Sequence, residues 1–256
     1  AWFLYTRLSP NRSGEHLMSK KHYYLIVDTE TTMDEKVADF GAVIVDRKGA
    51  IQAQAGILLN GIYNDRENHP LFFNEYSGDL WSRNSLDRRY NNYNAMLANG
   101  TRMLASVPAV NAWLTKAALK YNPTLTAYNM AFDLGKCVNT GIDLSIFSDR
   151  FCLWHAAVNK WAFTKDYRNF ALQVHAFNPP TKLANMSFKT NAEIMTRFIM
   201  SDPELADEPH TALEDAIYYE LPILKRLIET TKRDTFLNPE PFNWRKVQVK
   251  DWFTAK

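Results

Sequence analysis

The sequence has few cysteines and no long apolar run. Cys137 and Cys152 are the only cysteines among 256 residues, and their spacing fits neither a CxxC motif nor a zinc site, which argues against a disulfide-rich scaffold. No secretion signal is recognisable, so we expect both to be reduced thiols in a cytoplasmic protein. No segment approaches the ~20 apolar residues of a membrane span, so we expect no membrane partner.

A strong net charge is also missing. The chain carries 30 basic and 28 acidic residues, giving a net charge of +2, so no global basic field indicates nucleic acid. Local basic patches can still hold a strand at a focused acidic site. Hydrophobic residues make up 46% of the chain, which is enough for a sizeable core and too many for a disordered protein.

Residue patterns along the chain predict an α/β fold. Three β-prone runs predict an antiparallel meander, at 22–28, 37–46 and 50–59. A fourth strand at 124–128 and a short one within 147–158 follow. Helical patterns lie between and after these strands, at 107–120, 130–139, 191–200 and 212–230. Alternating strands and helices of this kind pack as helices on a sheet.

The predicted domain organisation is one domain with additions. We expect residues 1–17, which precede Met18, to be a leader or a vector-derived remnant. The main domain spans 18–232, with insertions near 61–100 and 159–190 that are rich in aromatic and basic residues. Residues 233–256 are expected to form a C-terminal tail.

Three short motifs concentrate carboxylates. Asp28 and Glu30 end the first strand, where alternation places them on one face while Thr29 points away. Asn129 and Asp133 lie four residues apart at a helix start, so they share a helix face. Taken singly, these motifs are also compatible with solvated acids at a strand end and with an acid in the first turn of a helix.

The third motif combines a histidine with an acid. Thr211 and Glu214 have the spacing of a capping box, with Thr211 as the N-cap. His210 and Asp215 then flank the helix start and face each other, whereas within a helix they would point about 140° apart. A loop histidine can titrate near neutrality and act as a general base. A surface histidine is the alternative.

Together, the motifs resemble those of DnaQ-like 3′-5′ exonucleases of the DEDDh type, within the ribonuclease-H-like superfamily. The resemblance is carried by Asp28, Glu30, Asn129, Asp133, His210 and Asp215. The segment Phe40-Gly41-Ala42-Val43 is also similar to that family. The motifs occur in the family's order and span positions 28 to 215.

The resemblance implies a fold and a mechanism. The fold is a central mixed five-stranded sheet, an antiparallel meander plus parallel strands, flanked by helices. Asp28, Glu30 and Asp215 would bind a first Mg²⁺ or Mn²⁺, and Asp28 and Asp133 a second. Oxygen ligands suit these hard cations, and two such metal ions bound side by side suit phosphodiester hydrolysis. His210 would be the general base, and the products would be nucleoside monophosphates.

Contacts to nucleic acid are predicted at two places. Thr31 and Asn129 would touch the terminal nucleotide. Arg88 and Arg89 would hold phosphates beside aromatic residues that stack on bases, namely Trp81, Tyr90 and Tyr93. Alternatively, the aromatic residues pack a peripheral helix and the arginines are solvated.

The expected substrate is single-stranded DNA, because bases must be splayed into a narrow site. An exoribonuclease of the same family is an alternative, since the 2′-hydroxyl decides between the substrates at contacts that the sequence does not identify. A catalytically silent nucleic-acid-binding protein is an alternative of another class. A compact stand-alone enzyme of this kind suits the cytoplasm of a bacterium or of a bacteriophage-infected cell.

Overall fold

The chain folds around a mixed β-sheet. The computed structural model describes residues 22–73, 86–181 and 185–249. The strands of the sheet are β1 (Tyr23–Thr31), β2 (Val37–Asp46), β3 (Ile51–Leu59), β4 (Met103–Ala105), β5 (Thr124–Ala127) and β6 (Arg150–Cys152). Their order is β4-β3-β2-β1-β5-β6. The first three strands are antiparallel, whereas β5 pairs parallel with β1 and β6, and β4 pairs parallel with β3.

Helices cover both faces of the sheet. They are α1 (Leu86–Asn99), α2 (Val107–Tyr121), α3 (Met130–Thr140), α4 (Leu153–Ala157), α5 (Lys165–Gln173), α6 (Ala192–Met200), α7 (Ala212–Asp215) and α8 (Leu221–Thr230). A π-helical segment, Val158–Ala162, extends α4, and a second, Ala216–Glu220, joins α7 to α8. No helix in the described ranges is long and apolar enough to span a membrane.

Smaller elements complete the chain. β7 (Phe177–Asn178) and β8 (Ser187–Phe188) form an antiparallel pair, and 3₁₀ turns occupy Lys232–Leu237 and Trp244–Val247. The 3₁₀ turns belong to the segment predicted as a tail, yet Phe236 and Val247 are buried in the main core. The predicted leader lies outside the described residues.

The predicted fold class is confirmed. A mixed sheet flanked by helices is consistent with the ribonuclease-H-like fold, and the three-stranded meander lies where it was predicted. The sheet has six strands rather than five. The additional strand, β4, was missed because it has only three residues, two of which are exposed, so it shows no alternation to detect.

The two segments predicted as insertions contribute side chains to the core. Tyr63, Tyr90 and Tyr93 form a hydrophobic cluster with Leu71. Only 5% of Tyr90 and 1% of Tyr93 is exposed, so neither ring can stack on a base, and the packing alternative holds for both. Trp81 lies outside the described residues. In the second segment, Tyr167 and Phe188 are buried in the main core, which also contains Tyr24 of β1.

Cys137 and Cys152 are free cysteines in the structure, and no disulfide joins them. Cys137 is buried within α3, and Cys152 is half-buried at the end of β6. Cys137 packs in the hydrophobic cluster that also contains Leu25 and Val27 of β1.

Candidate active site

Helices from both faces of the sheet reach the end of β1. Leu25 and Val27 of β1 pack in the cluster that contains Met130 of α3. Tyr24 and Ile26, which alternate with them, pack in the opposite cluster with Ile223 of α8. Because β1 lies between the two layers, its last residues meet side chains from α3 and from α7.

A cavity of about 320 Å³ opens at this end of β1. It is lined by four of the five predicted catalytic residues, namely Asp28, Glu30, His210 and Asp215. One potential ligand atom from each of Glu30, His210 and Asp215 lies within 4.8 Å of the others. Nδ1 of His210 is 3.9 Å from Oε1 of Glu30. The structure therefore brings the first and third motifs together.

Asp133 lies next to this cavity and does not line it. Its carboxylate is buried and accepts a hydrogen bond of 2.8 Å from the Thr29 hydroxyl. Thr29 therefore lies on the opposite side of β1 from Asp28 and Glu30, as strand alternation predicted, yet it still reaches the edge of the cavity. It projects toward the α3 layer, and Asp133 comes from that layer, so the two side chains meet at the edge of the site.

An irregularity in β1 shapes the end of the strand. The pairing register of β1 with β2 shifts between Glu30 and Thr31, which is the signature of a β-bulge. Bulges re-aim side chains and are frequent beside active sites. The predicted nucleotide contact Thr31 lines the cavity, and its carbonyl oxygen accepts a hydrogen bond of 2.8 Å from the Phe72 amide.

The start of α7 positions His210 and Asp215, although the predicted capping box is wrong. Thr211 precedes the helix but makes no side-chain capping bond. Its backbone N–H instead donates to Oδ2 of Asp215 at 2.9 Å. Glu214 pairs with Arg102, because a guanidinium is a stronger partner for a carboxylate than a backbone amide is. His210 has a left-handed backbone conformation, with φ of 55°.

Two paired glycines let α7 lie directly on the sheet. Gly41 of β2 and Gly56 of β3 are partners in the pairing register. A Cβ atom at Gly41 would lie 2.2 Å from the carbonyl carbon of Ala212, and one at Gly56 would lie 2.9 Å from the Leu213 side chain. No larger residue fits at Gly41 without displacing α7 and, with it, Asp215.

Buried charges fix the same helix start. The Arg102 guanidinium donates to Asp39 on β2, with Nε 2.9 Å from Oδ1, and also pairs with Glu214 on α7. Asp39 in turn accepts a hydrogen bond of 3.0 Å from the Ala212 amide. Strand β2 and the start of α7 are therefore joined through one arginine that is almost completely buried.

Arg102→Met is expected to lower the free energy of unfolding by about 3–5 kcal/mol, because it leaves the fully buried Asp39 carboxylate without its counterion. Guanidinium chloride unfolding would measure this loss. Arg226→Met is the matched control, because the Arg226–Glu229 pair is about half exposed and such pairs contribute ~0–1 kcal/mol. Equal losses for the two variants would contradict the structural role of Arg102.

The remaining predicted contacts lie in three different places. Arg89 is buried, with its guanidinium 3.5 Å from Glu30, so it faces the carboxylates and is not a solvated surface residue. Arg88 is exposed on α1. Asn129 is exposed at the start of α3, with φ of 68°, and lines a neighbouring pocket of about 340 Å³ with Trp154 and Asn191.

The cavity contains further residues that the sequence patterns do not identify. Glu208 and Glu220 line it together with the predicted acids, and so do the rings of Phe72 and Phe132. Glu208 lies among other acids in an irregular loop, where nothing distinguishes it. Glu220 follows Asp215 by five residues, a spacing that places two side chains about 140° apart on an α-helix.

Negative charge is crowded at the site. Burial, followed by the charge of Asp39, raises the pKa of Asp28 to about 7. Burial, followed by the charge of Asp28, raises the pKa of Glu208 to about 8. The pKa of Asp215 is also raised by burial, and next by Glu208.

Several carboxylate oxygens are buried without a partner. Among the described residues, Oδ2 of Asp28, Oδ1 of Asp215 and Oε2 of Glu220 have no hydrogen-bond partner. Buried charges of this kind are normally paired or coordinate a metal. The arrangement is therefore suited to binding cations through oxygen ligands.

Comparisons with known proteins give one remote similarity. No family model matches the sequence, and no curated protein matches it. The structure is similar to that of E. coli exonuclease I in complex with a 5cy-dT13 oligonucleotide. The identity is 15% and the TM-score 0.48, over 84% of this chain and 42% of that one. The chain thus spans less than half the length of that protein.

Proposed function

We propose that the protein is a metal-dependent 3′-5′ exonuclease of the DEDDh type that acts on single-stranded DNA. The observation that carries this proposal is the cavity at the end of β1. It combines Asp28, Glu30 and Asp215 with His210, and two of the carboxylates have a buried oxygen without a partner.

The donor set fits Mg²⁺ or Mn²⁺. Asp28, Glu30 and Asp215 would hold a first ion, and Asp28 and Asp133 a second one. Carboxylate oxygens are the ligands that these cations prefer, and the repulsion among the buried acids would be relieved by positive charge. When bound, such ions stabilise the negative charge that develops on phosphate oxygens during hydrolysis.

His210 would act as the general base. It is half-buried on a loop, and its ring lies beside Glu30 at the edge of the cavity. In the proposed reaction His210 accepts a proton from the attacking water, whose oxygen forms a bond to phosphorus. The bond from phosphorus to the 3′ oxygen of the preceding nucleotide breaks, that oxygen takes up a proton from solvent to become the new 3′-hydroxyl of the shortened strand, and a nucleoside 5′-monophosphate leaves. The positively charged guanidinium of Arg89 lies 3.5 Å from the Glu30 carboxylate and would hold it in place by electrostatic attraction.

Two exposed aromatic rings favour a single-stranded substrate. Phe72 is 39% exposed and Phe132 43% exposed, and both line the cavity. Unpaired bases can stack on such rings, and each stacked base contributes about 1–3 kcal/mol. These rings take the role first predicted for the buried Tyr90 and Tyr93. Thr31 would contact the terminal nucleotide, and Asn129 a nucleotide in the neighbouring pocket.

The test is a cleavage time course on matched single-stranded DNA and RNA oligonucleotides labelled at the 5′ end. With Mg²⁺ we expect a ladder that shortens from the 3′ end, faster for DNA, and no cleavage in EDTA. Faster cleavage of RNA would mean that the protein is an exoribonuclease that uses the same reaction. If neither Mg²⁺ nor Mn²⁺ supported cleavage while the protein still bound the oligonucleotides, a silent nucleic-acid-binding protein would be favoured.

A further inference from the structure

Glu220 is one of two acidic residues of the cavity, with Glu208, that the DEDDh pattern does not include. It is the last residue of the π-helical segment between α7 and α8. Only 2% of the residue is exposed, yet its side chain lines the cavity beside Asp28 and Asp215. Its contribution is therefore distinct from that of the four predicted acids.

The π-helical segment explains how Glu220 reaches the cavity. Five residues of α-helix would turn Glu220 about 140° away from Asp215. In a π-helix the hydrogen bonds join residues five apart, so such residues follow one another along one side. Asp215 and Glu220 therefore both face the cavity.

One hydrogen bond and one proline account for this local geometry. The buried Thr196 hydroxyl donates a hydrogen bond of 2.7 Å to the carbonyl oxygen of Tyr219, within the π-helical segment. Pro222 follows and has no N–H to donate to the preceding turn, which accounts for a change of helical register at this point.

Only half of the Glu220 carboxylate is satisfied. Oε1 accepts a hydrogen bond of 3.2 Å from the Tyr128 amide, at the end of β5. Oε2 is buried and has no partner among the residues that the structure describes. The neighbouring charges that act on Glu220 are negative, with Asp28 the strongest and Asp133 next. Burial, followed by the charge of Asp28, raises the pKa of Glu220, so its ionised form is stable in this cavity only when a cation lies beside it.

We propose that Glu220 is a further cation-binding residue of the cavity, acting on the same divalent cation as Asp28. The inference rests on the proposed function and deepens it. Asp133 does not line the cavity, whereas Glu220 does, so Glu220 supplies a carboxylate within the cavity that Asp133 does not.

The test compares how tightly the metal-stripped wild-type chain and the metal-stripped Glu220→Gln variant bind Mn²⁺. Binding is measured from the electron paramagnetic resonance signal of the Mn²⁺ that remains unbound. Glutamine keeps an oxygen that can accept the Tyr128 N–H but removes the charge. We expect Glu220→Gln to weaken Mn²⁺ binding about 10–100-fold, as the loss of supporting groups at metal sites does. Glu229→Gln is the control, because it removes the same charge from a half-exposed position on α8.

Thermal unfolding separates a cation-binding role from a structural one. In EDTA, Glu220→Gln should melt at or above the wild-type temperature, because one repelling charge is gone, and Mn²⁺ should raise its melting temperature less. Wild-type Mn²⁺ affinity in Glu220→Gln, or a variant that melts far below wild type in EDTA, would overturn the inference and leave the exonuclease proposal intact. If the wild-type chain bound no Mn²⁺, both would fail.

Discussion

Asp215→Asn is expected to abolish metal-dependent cleavage while leaving the fold intact. Electrostatic stabilisation by a bound cation is worth several kcal/mol, and each 1.36 kcal/mol is a factor of ten, so the rate should fall by at least ~10³-fold. An asparagine oxygen can still accept the hydrogen bond from the Thr211 amide, which preserves the helix start. Single-turnover cleavage of a 5′-labelled oligonucleotide in Mg²⁺ measures the rate.

The melting temperature of Asp215→Asn in EDTA shows whether the loss of cleavage comes from the missing metal ligand or from unfolding of the protein. Asp215 is buried among other acids, with Glu208 the strongest of them, so its neutral form should be at least as stable as the wild type without metal. Asp166→Asn is the matched control, since Asp166 is exposed on α5. Residual Mg²⁺-dependent activity near the wild-type level would remove Asp215 from the proposed ligand set.

His210→Asn should reduce turnover by ~10²–10⁴-fold, which is the usual share of a general base. Asparagine is the better substitution than alanine, because His210 has a positive φ and asparagine tolerates that region. The rate constant at saturating Mg²⁺ is the quantity to compare, together with Mn²⁺ affinity measured without substrate. A base role predicts nearly normal Mn²⁺ affinity.

The same variant also tests whether His210 is a ligand. Potential ligand atoms of His210, Glu30 and Asp215 lie close enough together to hold one ion. If His210→Asn lost Mn²⁺ affinity but turned over normally once metal was saturating, His210 would be a ligand and its assignment as the base would be wrong.

Local sequence patterns predicted most elements of the sheet and its helices, but not α1 and α5, which lie in the two segments predicted as insertions. The helix predicted at 130–139 spans Met130–Thr140 and ends at Gly141, whose φ is 89°. Alternation and helical periodicity report which side of an element is buried, and most elements here are long enough to show it. The three-residue β4 is too short, and it was missed.

Contacts between residues that are distant in sequence could not be predicted from local sequence patterns. Arg102 pairs with Asp39, 63 positions earlier, and with Glu214, 112 positions later, so no local spacing joins them. The capping box failed for the same reason, since Arg102 draws Glu214 away from the helix start. Glu220 was missed because the periodicity of an α-helix was assumed where the chain is π-helical.

The position of Cys137 bears on how the protein tolerates oxidants. The thiol lies one helical turn after Asp133 and is buried, and burial, followed by the charge of Asp133, raises its pKa. Because the thiolate is the form that peroxide and alkylating reagents attack, Cys137 is chemically inert. The turn of α3 that carries Asp133 is thus shielded from sulfenic acid formation, and reagents that modify thiols would act first on the half-buried Cys152.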